Sequence, residues 1–144
     1  MKKIINGARY DTDTAKKLGF SQNAPESDLD WYEEALYRTK SGKYFIHGVG
    51  GPRTKYASPR GDGGWCSGEA IVPISEDAAR QWAEKKLPAD EFEMVFGEVS
   101  EDVNDIQATV YIPAALAAKL YAKLDEENCS RNELILKALR EYLK

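Results

Sequence analysis

Apolar and polar residues alternate with a period of two along several short stretches in the first half of the chain, which is typical of strands. The segments ALYRTK and KYFIHG flank Ser41-Gly42, a two-residue turn that contains glycine. This arrangement predicts a β-hairpin. GEAIVPIS at residues 68–75 predicts another strand, and residues 3–6 predict a short strand that ends at Gly7.

Three short helices are predicted around these strands from capping residues and apolar spacing. Together with the strands they predict a small α+β domain with an antiparallel sheet over residues 1–97. The first predicted helix covers residues 11–20, with Asp11 or Thr12 as N-cap and Gly19 just past its end. The second begins after the N-cap Ser75 and ends at Pro88, and the third is a short helix before Gly97.

A second module follows an acidic linker at residues 98–105. Ile106, Ala108, Val110 and Ile112 alternate with polar or aromatic residues, which predicts a strand with one buried face. Pro113 ends this strand. Two helices are then predicted from leucines repeating every three or four residues, with Asn128 as a left-handed stop and Ser130 as the N-cap of the second.

Residues 106–144 form too small a module to fold alone. They contain one predicted strand, which leaves both of its edges unpaired. Chains of about forty residues need staples or a partner to bury enough apolar surface. The sequence therefore predicts a homodimer through this module, in which two strands pair and four helices close over them.

The segment QATVYIP followed by two amphipathic helices, the second written SRNELILKALREYL, resembles the ribbon-helix-helix family of repressors and antitoxins. The resemblance covers the last quarter of the chain. It implies that Gln107, Thr109 and Tyr111 read bases in the DNA major groove. It also implies that the N-terminus of the second helix, at Ser130 and Arg131, contacts a phosphate.

The predicted ribbon departs from that family in its charge. Members that bind DNA carry Lys or Arg on or near the ribbon, whereas this ribbon has neither and follows the acidic arm GEVSEDVND. Phosphate neutralisation supplies most of the non-specific affinity for DNA. Dimerisation without DNA binding therefore stays open as an alternative.

The first module, with segments such as MKKIINGARYDTDTAKKLG and EALYRTKSGKYFIHGVGGPRTKYAS, resembles a small domain of mobile elements in Gram-positive bacteria. That domain recurs near and within anti-CRISPR proteins. The resemblance covers residues 1–97 and rests on the overall pattern rather than on a catalytic signature. It implies a phage or plasmid accessory protein that inhibits a Cas9-type effector.

The net charge of −4 lies entirely in residues 1–104, which hold 14 basic and 18 acidic residues. A general basic footprint for nucleic acid is therefore missing. The stretches ESDLDWYEE and residues 90–105 are strongly acidic. They predict either a solvated surface or a surface that competes with nucleic acid for a basic groove.

The residue types of an enzyme or a metal site are sparse. His47 is the single histidine, and no Ser, Cys or carboxylate forms a recognisable triad motif with it. Cys66 and Cys129 are far apart and form no CxxC spacing. We therefore predict a non-enzymatic chain without metal or cofactor. Free thiols and the lack of a long apolar run favour the bacterial cytoplasm without membrane association.

The loop at residues 50–68 is rich in glycine, basic residues and aromatic residues. Its glycines match no phosphate-binding motif. Arginine with tyrosine or tryptophan is typical of protein interfaces. The residues predicted to bind a partner are Arg53, Lys55, Tyr56, Arg60 and Trp65. The alternative is a solvated connector with Trp65 in the core.

Two functions follow from these patterns. The first is an anti-CRISPR inhibitor that binds a Cas9-type effector or its guide RNA and dimerises through residues 106–144. The second is a transcriptional repressor of the ribbon-helix-helix type, either autoregulatory or antitoxin-like, that binds operator DNA through the same module.

Overall fold

The structure is a computed structural model that describes residues 1–99, 101 and 108–144. These residues form two compact units, which are described separately below. The first unit contains Met1–Thr39 and Lys43–Leu87, and the second contains Lys40–Gly42 and Pro88–Lys144. Within the described residues, no helix combines the length and the apolarity that a membrane span needs.

A β-hairpin opens the first unit. Strands β1 (Lys2–Ile5) and β2 (Ala8–Asp11) pair antiparallel. The turn between them is Asn6-Gly7, and both residues have positive φ, 49° and 78°. Positive φ at both central residues is the requirement of a type I′ turn, which explains why Asn-Gly occurs here. The predicted strand before Gly7 is thus half of a hairpin.

A four-stranded antiparallel sheet forms the centre of the first unit, in the order β3 (Lys16–Gln22), β4 (Tyr32–Arg38), β5 (Tyr44–Gly50) and β8 (Gly68–Ile74). The predicted hairpin around Ser41-Gly42 is confirmed as β4 and β5, and the predicted strand at residues 68–75 is confirmed as β8. In the chain, the loop from β5 to β8 forms a separate small hairpin of two strands, β6 and β7. The strand limits are β3 Lys16–Gln22, β4 Tyr32–Arg38, β5 Tyr44–Gly50, β6 Ser58–Pro59, β7 Trp65–Cys66 and β8 Gly68–Ile74.

The predicted helix over residues 11–20 is wrong, because its second half lies in β3, which runs from Lys16 to Gln22, and residues 12–15 form a turn. The Asp11 carboxylate accepts the N–H of Asp13 at 3.0 Å, which makes a local turn rather than a helix cap. β3 pairs with β4 and has a register shift between Lys17 and Gly19. A Cβ at Gly19 would meet the side chain of Leu87, so glycine permits close packing against the sheet here.

The two faces of this sheet are covered differently. Residues alternate between the faces along each strand. Phe45 and Ile71 share one face with Tyr10 of the first hairpin, whose ring meets Phe45 edge-on at 5.5 Å. Helix α1 (Glu76–Lys86) belongs to the other face, where Ala79 is completely buried. We call this second face the helix face.

The predicted N-cap of α1 is confirmed. The Ser75 hydroxyl accepts the N–H of Ala78, and the first turn carries Glu76 and Asp77. Carboxylates near a helix N-terminus interact favourably with the helix dipole. α1 ends at Lys86, two residues before Pro88, as the sequence predicts.

The second unit contains three helices: α2 (Ala89–Phe96), α3 (Ala114–Glu127) and α4 (Arg131–Tyr142). The sequence placed the residues of α2 in the first module, whereas the contacts group them with the later helices. In the second unit, the Asn132 side chain donates to the Phe96 carbonyl at 3.4 Å.

The predicted stop and cap in the second unit are confirmed. Asn128 has a φ of 51° in the left-handed region at the end of α3. Ser130 caps α4 in a capping box, in which its hydroxyl accepts the N–H of Glu133 and the Glu133 carboxylate accepts the N–H of Ser130. Ala117, Tyr121 and Leu124 form the small buried cluster of this unit.

The predicted strand over residues 106–112 is not formed in its described part. Residues 108–112 have no regular secondary structure, and residues 106 and 107 lie outside the described residues. A strand needs a neighbouring strand to satisfy its backbone groups, and the described residues of this module contain none. The predicted α+β class with an antiparallel sheet is confirmed.

Candidate binding site around Glu34

A buried carboxylate joins three separate segments of the first unit. Glu34 lies on β4, and 4% of its side chain is exposed. The Tyr56 hydroxyl donates to Oε1 at 2.7 Å, and the Trp82 indole N–H donates to Oε2 at 2.7 Å. The Lys55 ammonium forms an ion pair with Oε1. Glu34 thus connects the sheet with the loop after β5 and with α1.

The register of the sheet explains why Tyr56 reaches Glu34. Glu34 pairs with Gly48 of β5, so the two residues are neighbours on the helix face of the sheet. Gly48 has no side chain, and a Cβ there would overlap the Tyr56 ring. The ring therefore occupies the space that a larger residue would fill.

Local turns hold the loop that carries Lys55 and Tyr56. The Thr54 hydroxyl donates to the Gly51 carbonyl at 2.9 Å and accepts the N–H of Tyr56 at 3.2 Å. Gly51 in turn donates its N–H to the Trp31 carbonyl at 2.9 Å. These bonds fix the backbone just before Tyr56, so the ring is positioned by the loop as well as by Gly48.

Hydrogen bonds keep the Glu34 carboxyl ionised. Burial raises its pKa, but the hydrogen bonds from Lys55, Trp82 and Tyr56 outweigh burial and hold the pKa below the ordinary value of 4.5. Burial, followed by the hydrogen bond to Glu34, raises the pKa of the Tyr56 hydroxyl. The carboxylate is already bonded by three donors, so it suits a structural role better than that of a general base.

Two lysines and two tyrosines form the rim of the site. The Lys55 ammonium lies 5.5 Å from the Tyr32 ring centre and 5.2 Å from that of Tyr56. The Lys86 ammonium lies 5.6 Å from the Tyr32 ring and donates to its hydroxyl at 3.4 Å. Cation–π attraction holds both ammonium groups near the Tyr32 ring.

A cavity of about 330 Å³ opens beside this cluster, between the helix face and α1. Its wall is mainly apolar, and Glu34, Lys55, Tyr56 and Trp82 supply the polar groups. Its volume lies at the small end of the range for ligand sites in proteins. The remaining lining residues are Ile46, Ala70, Val72, Ile74 and Ala78. Such a cavity can hold an apolar group next to a charged rim.

The structure separates the five predicted partner-binding residues. Lys55 and Tyr56 belong to the Glu34 site, where Tyr56 is buried. Arg60 and Trp65 belong instead to the β6–β7 hairpin, where Arg60 directly follows β6 and Trp65 is the first residue of β7. Arg53 is exposed before the Glu34 site.

The alternative interpretation that placed Trp65 in the core is wrong. Trp65 is 58% exposed, whereas Tyr56 is 6% exposed and takes the buried aromatic position. The turn of the β6–β7 hairpin is stabilised by Asp62, which accepts the N–H of Gly64 at 3.0 Å and pairs with Arg60 at 3.2 Å. This turn holds Arg60 and presents Trp65 to solvent.

The predicted DNA-binding residues have different environments. Gln107 lies outside the described residues, Thr109 is exposed, and Tyr111 is 93% exposed. Ser130 is buried, and both its N–H and its hydroxyl are used in the capping box. Arg131, the first residue of α4, is half-buried.

Sequence analysis missed Glu34 and Trp82. The stretch ESDLDWYEE was interpreted as one acidic surface, but its last residue, Glu34, is buried. The alternation along β4 carries the missed signal, because Glu34 is two residues before the fully buried Leu36 and so shares its face. A carboxylate on a buried face requires donors.

The single histidine is paired in the structure. His47 Nε2 lies 2.9 Å from Glu69 Oε2, across the pair of strands β5 and β8. Among the described residues, no group of three or more His, Cys, Asp or Glu side chains could hold a metal ion. The hydrogen bond between His47 and Glu69 links the neighbouring strands β5 and β8.

Comparison with family models, curated proteins and solved structures finds no match to this chain. No binding or catalytic residue is therefore transferred from a relative. The functional proposals depend on the geometry described above and on the sequence resemblances.

Acid is expected to destabilise the first unit through Glu34. Because its folded pKa lies below 4.5, the unfolded chain binds more protons as the pH falls. The stabilisation is complete above about pH 4.5 and is lost as the pH falls through the folded value. Glu34→Gln is expected to cost about 1–3 kcal/mol at neutral pH and less in acid. Urea unfolding across the pH range measures both effects.

Glu33→Gln is the matched control for this substitution, because Glu33 is the adjacent residue on the opposite face of the sheet. It is expected to keep the pH dependence of the wild-type chain. The same pH dependence in wild-type and Glu34→Gln protein would contradict the role assigned to Glu34.

Gly48→Ala is expected to lower the free energy of unfolding by about 1–3 kcal/mol, because the added methyl group displaces the Tyr56 ring. Gly61→Ala is the control, since a Cβ there meets nothing within 4 Å. Its effect is expected to stay within about 0.5 kcal/mol. Equal unfolding midpoints in urea for both variants would show that the Tyr56 position does not depend on Gly48.

Proposed function

We propose that this chain is a non-enzymatic accessory protein of a phage or plasmid that inhibits a Cas9-type effector as a homodimer. The observation that carries the proposal is in the second unit. No residue of helix α4 is fully buried, although the helix is amphipathic: Leu134 is only partly buried against the α3 cluster, and Leu136 and Leu139 are exposed. Helices in proteins gain most of their stability from packing an apolar face, so α4 needs a partner.

The apolar surface of the second unit extends over more than one helix. Its internal buried cluster has three residues, whereas larger apolar side chains remain exposed. A second copy presents the same face, and a two-fold pair can therefore bury both faces. From residue 108 onward, the exposed large apolar residues are Val110, Tyr111, Leu116, Leu136, Leu139, Tyr142 and Leu143.

The first unit supplies the surface for the effector in this proposal. Trp65 is exposed on the β6–β7 hairpin beside Arg60, and Lys55 lies on the rim of the Glu34 site. Tryptophan and arginine dominate the energetics of many interfaces. The choice of a Cas9-type effector, or its guide RNA, comes from the resemblance of residues 1–97 to anti-CRISPR-associated domains. A dimer would present two such surfaces and increase avidity.

Expression of the wild-type chain in bacteria with an active Cas9 system is expected to protect a targeted plasmid. Leu139→Glu places a charge in the exposed face of α4 and is expected to give a monomer. The monomer is expected to protect the plasmid about tenfold less, because bivalent binding is lost. Transformation efficiency measures protection, and sedimentation velocity measures the oligomeric state.

Met94→Glu is the control, since Met94 is 77% exposed on α2. It is expected to leave both the dimer and the protection unchanged. Plasmid loss that is the same with and without the wild-type protein would contradict the inhibitor function. A well-folded monomeric wild-type chain would contradict the dimer.

A second candidate function is DNA binding by the dimer, as a repressor. It is favoured by the exposure of Thr109 and Tyr111, because residues that read bases must be accessible. Pairing of residues 106–112 between two copies would place both side chains on one outward face. The capping box at Ser130 opposes a phosphate contact there, because Glu133 adds a negative charge to the first turn.

Gel shift with DNA upstream of the gene tests this second function. Tyr111→Ala is expected to weaken specific binding about tenfold. The binding is expected to weaken with salt as well. Met94→Ala is the control and is expected to bind like the wild type. A lack of salt-sensitive binding to any upstream fragment would remove the repressor function.

A further inference from the structure

Strand β8 is an edge of the main sheet, since in the described part of the chain it pairs only with β5. Pro73 of β8 lies opposite Phe45. Proline has no N–H, and sheets accept it at edges where its nitrogen faces away from the neighbouring strand. The same orientation recurs every second residue, so the backbone groups of Glu69 and Ile71 also face the open edge.

The opposite edge of the sheet is less suited to pairing. β3 carries Lys16 and Lys17 and has a register shift between Lys17 and Gly19. Lysines and bulges on an edge strand discourage the addition of another strand. β8 has no lysine and no register shift, and its own Pro73, which also limits pairing, is the second-last residue and leaves the backbone groups of Glu69 and Ile71 available. The two edges therefore differ in how readily they accept a partner.

The cavity beside α1 lies next to the β8 edge. Ala70, Val72 and Ile74 alternate with the edge-facing residues and line the cavity together with Trp82. Val72 is 42% exposed although α1 covers part of the same face. An open row of backbone groups thus adjoins an apolar cavity, which is the arrangement of proteins that bind peptides by strand addition.

We propose that β8 and this cavity bind an extended segment of a partner protein. The segment adds to the sheet as a strand, and its backbone pairs with Glu69 and Ile71. One branched or aromatic side chain of the segment enters the cavity. This binding site lies within the first unit and shares Lys55 with the surface proposed for the effector.

The rim of the cavity indicates the charge of the segment. The ammonium groups of Lys55 and Lys86 lie near the Tyr32 ring, and one buried carboxylate, Glu34, faces them. Of these groups, Glu34 and Lys55 line the cavity and pair with each other, and Lys86 adds a second positive charge beside Tyr32, outside the lining residues. We therefore expect an acidic residue in the segment next to its apolar residue, because opposite charges favour this pairing.

Panning a display library of random twelve-residue peptides on the full-length chain tests the proposal. The enriched peptides are expected to combine apolar residues at alternate positions with an acidic residue. N-methylation of single peptide amides in one enriched sequence is expected to weaken binding about tenfold at every second position and to change it little in between. Isothermal titration calorimetry measures the affinities, and this scan leaves the protein unaltered.

A pair of protein variants locates the binding site. Val72→Arg fills the cavity and is expected to weaken peptide binding at least about tenfold. Ile4→Arg is the control, because Ile4 is an apolar residue on β1 with 67% of its surface exposed. The Ile4→Arg protein is expected to bind the peptide with the same affinity as the wild-type protein. Thermal unfolding confirms that both variants are folded.

Three results would overturn the proposal. The first is the enrichment of no peptide over a blank surface. The second is binding that Val72→Arg leaves unchanged. The third is binding that depends on Val72 but lacks the two-residue period in the N-methyl scan, since it would place an apolar ligand in the cavity without strand addition.

Discussion

The hydrogen-bonded Glu34 carboxylate is the interaction on which the first unit depends. Burial of a charge is costly unless donors compensate it, and Lys55, Tyr56 and Trp82 supply that compensation from two other segments. The same contacts give the loop after β5 a defined path and connect α1 to the sheet. The cavity beside Glu34 is lined by residues of this cluster, of the helix face and of α1.

The second unit differs, because several large apolar side chains stay exposed among its described residues. α4 has a capping box that satisfies backbone N–H groups at its N-terminus, but none of its residues is fully buried. Residues 108–112 form no strand, and a strand there would need a second strand to pair with. Both features support the proposed homodimer, in which packing and strand pairing form together.

The sequence predicted the hairpin of β4 and β5 and the caps at Ser75, Asn128 and Ser130, because these depend on neighbouring residues. It failed at residues 11–20, where local signals favoured a helix but pairing with β4 and packing of Leu87 on Gly19 favoured a strand. The Asn-Gly turn at residue 6 was a usable signal for the first hairpin.

Local chemistry thus determined the α+β class, the helix caps, the Ser41-Gly42 turn and the amphipathic stripes of the second unit. Only the tertiary structure decided that Tyr56 is buried while Trp65 is exposed, and that Glu34 joins three segments. Residues 34, 56 and 82 are brought together by strand register and helix placement. The alternation along β4 places Glu34 on the buried face, but no local pattern identifies Tyr56 and Trp82, which are far away in the chain, as its partners.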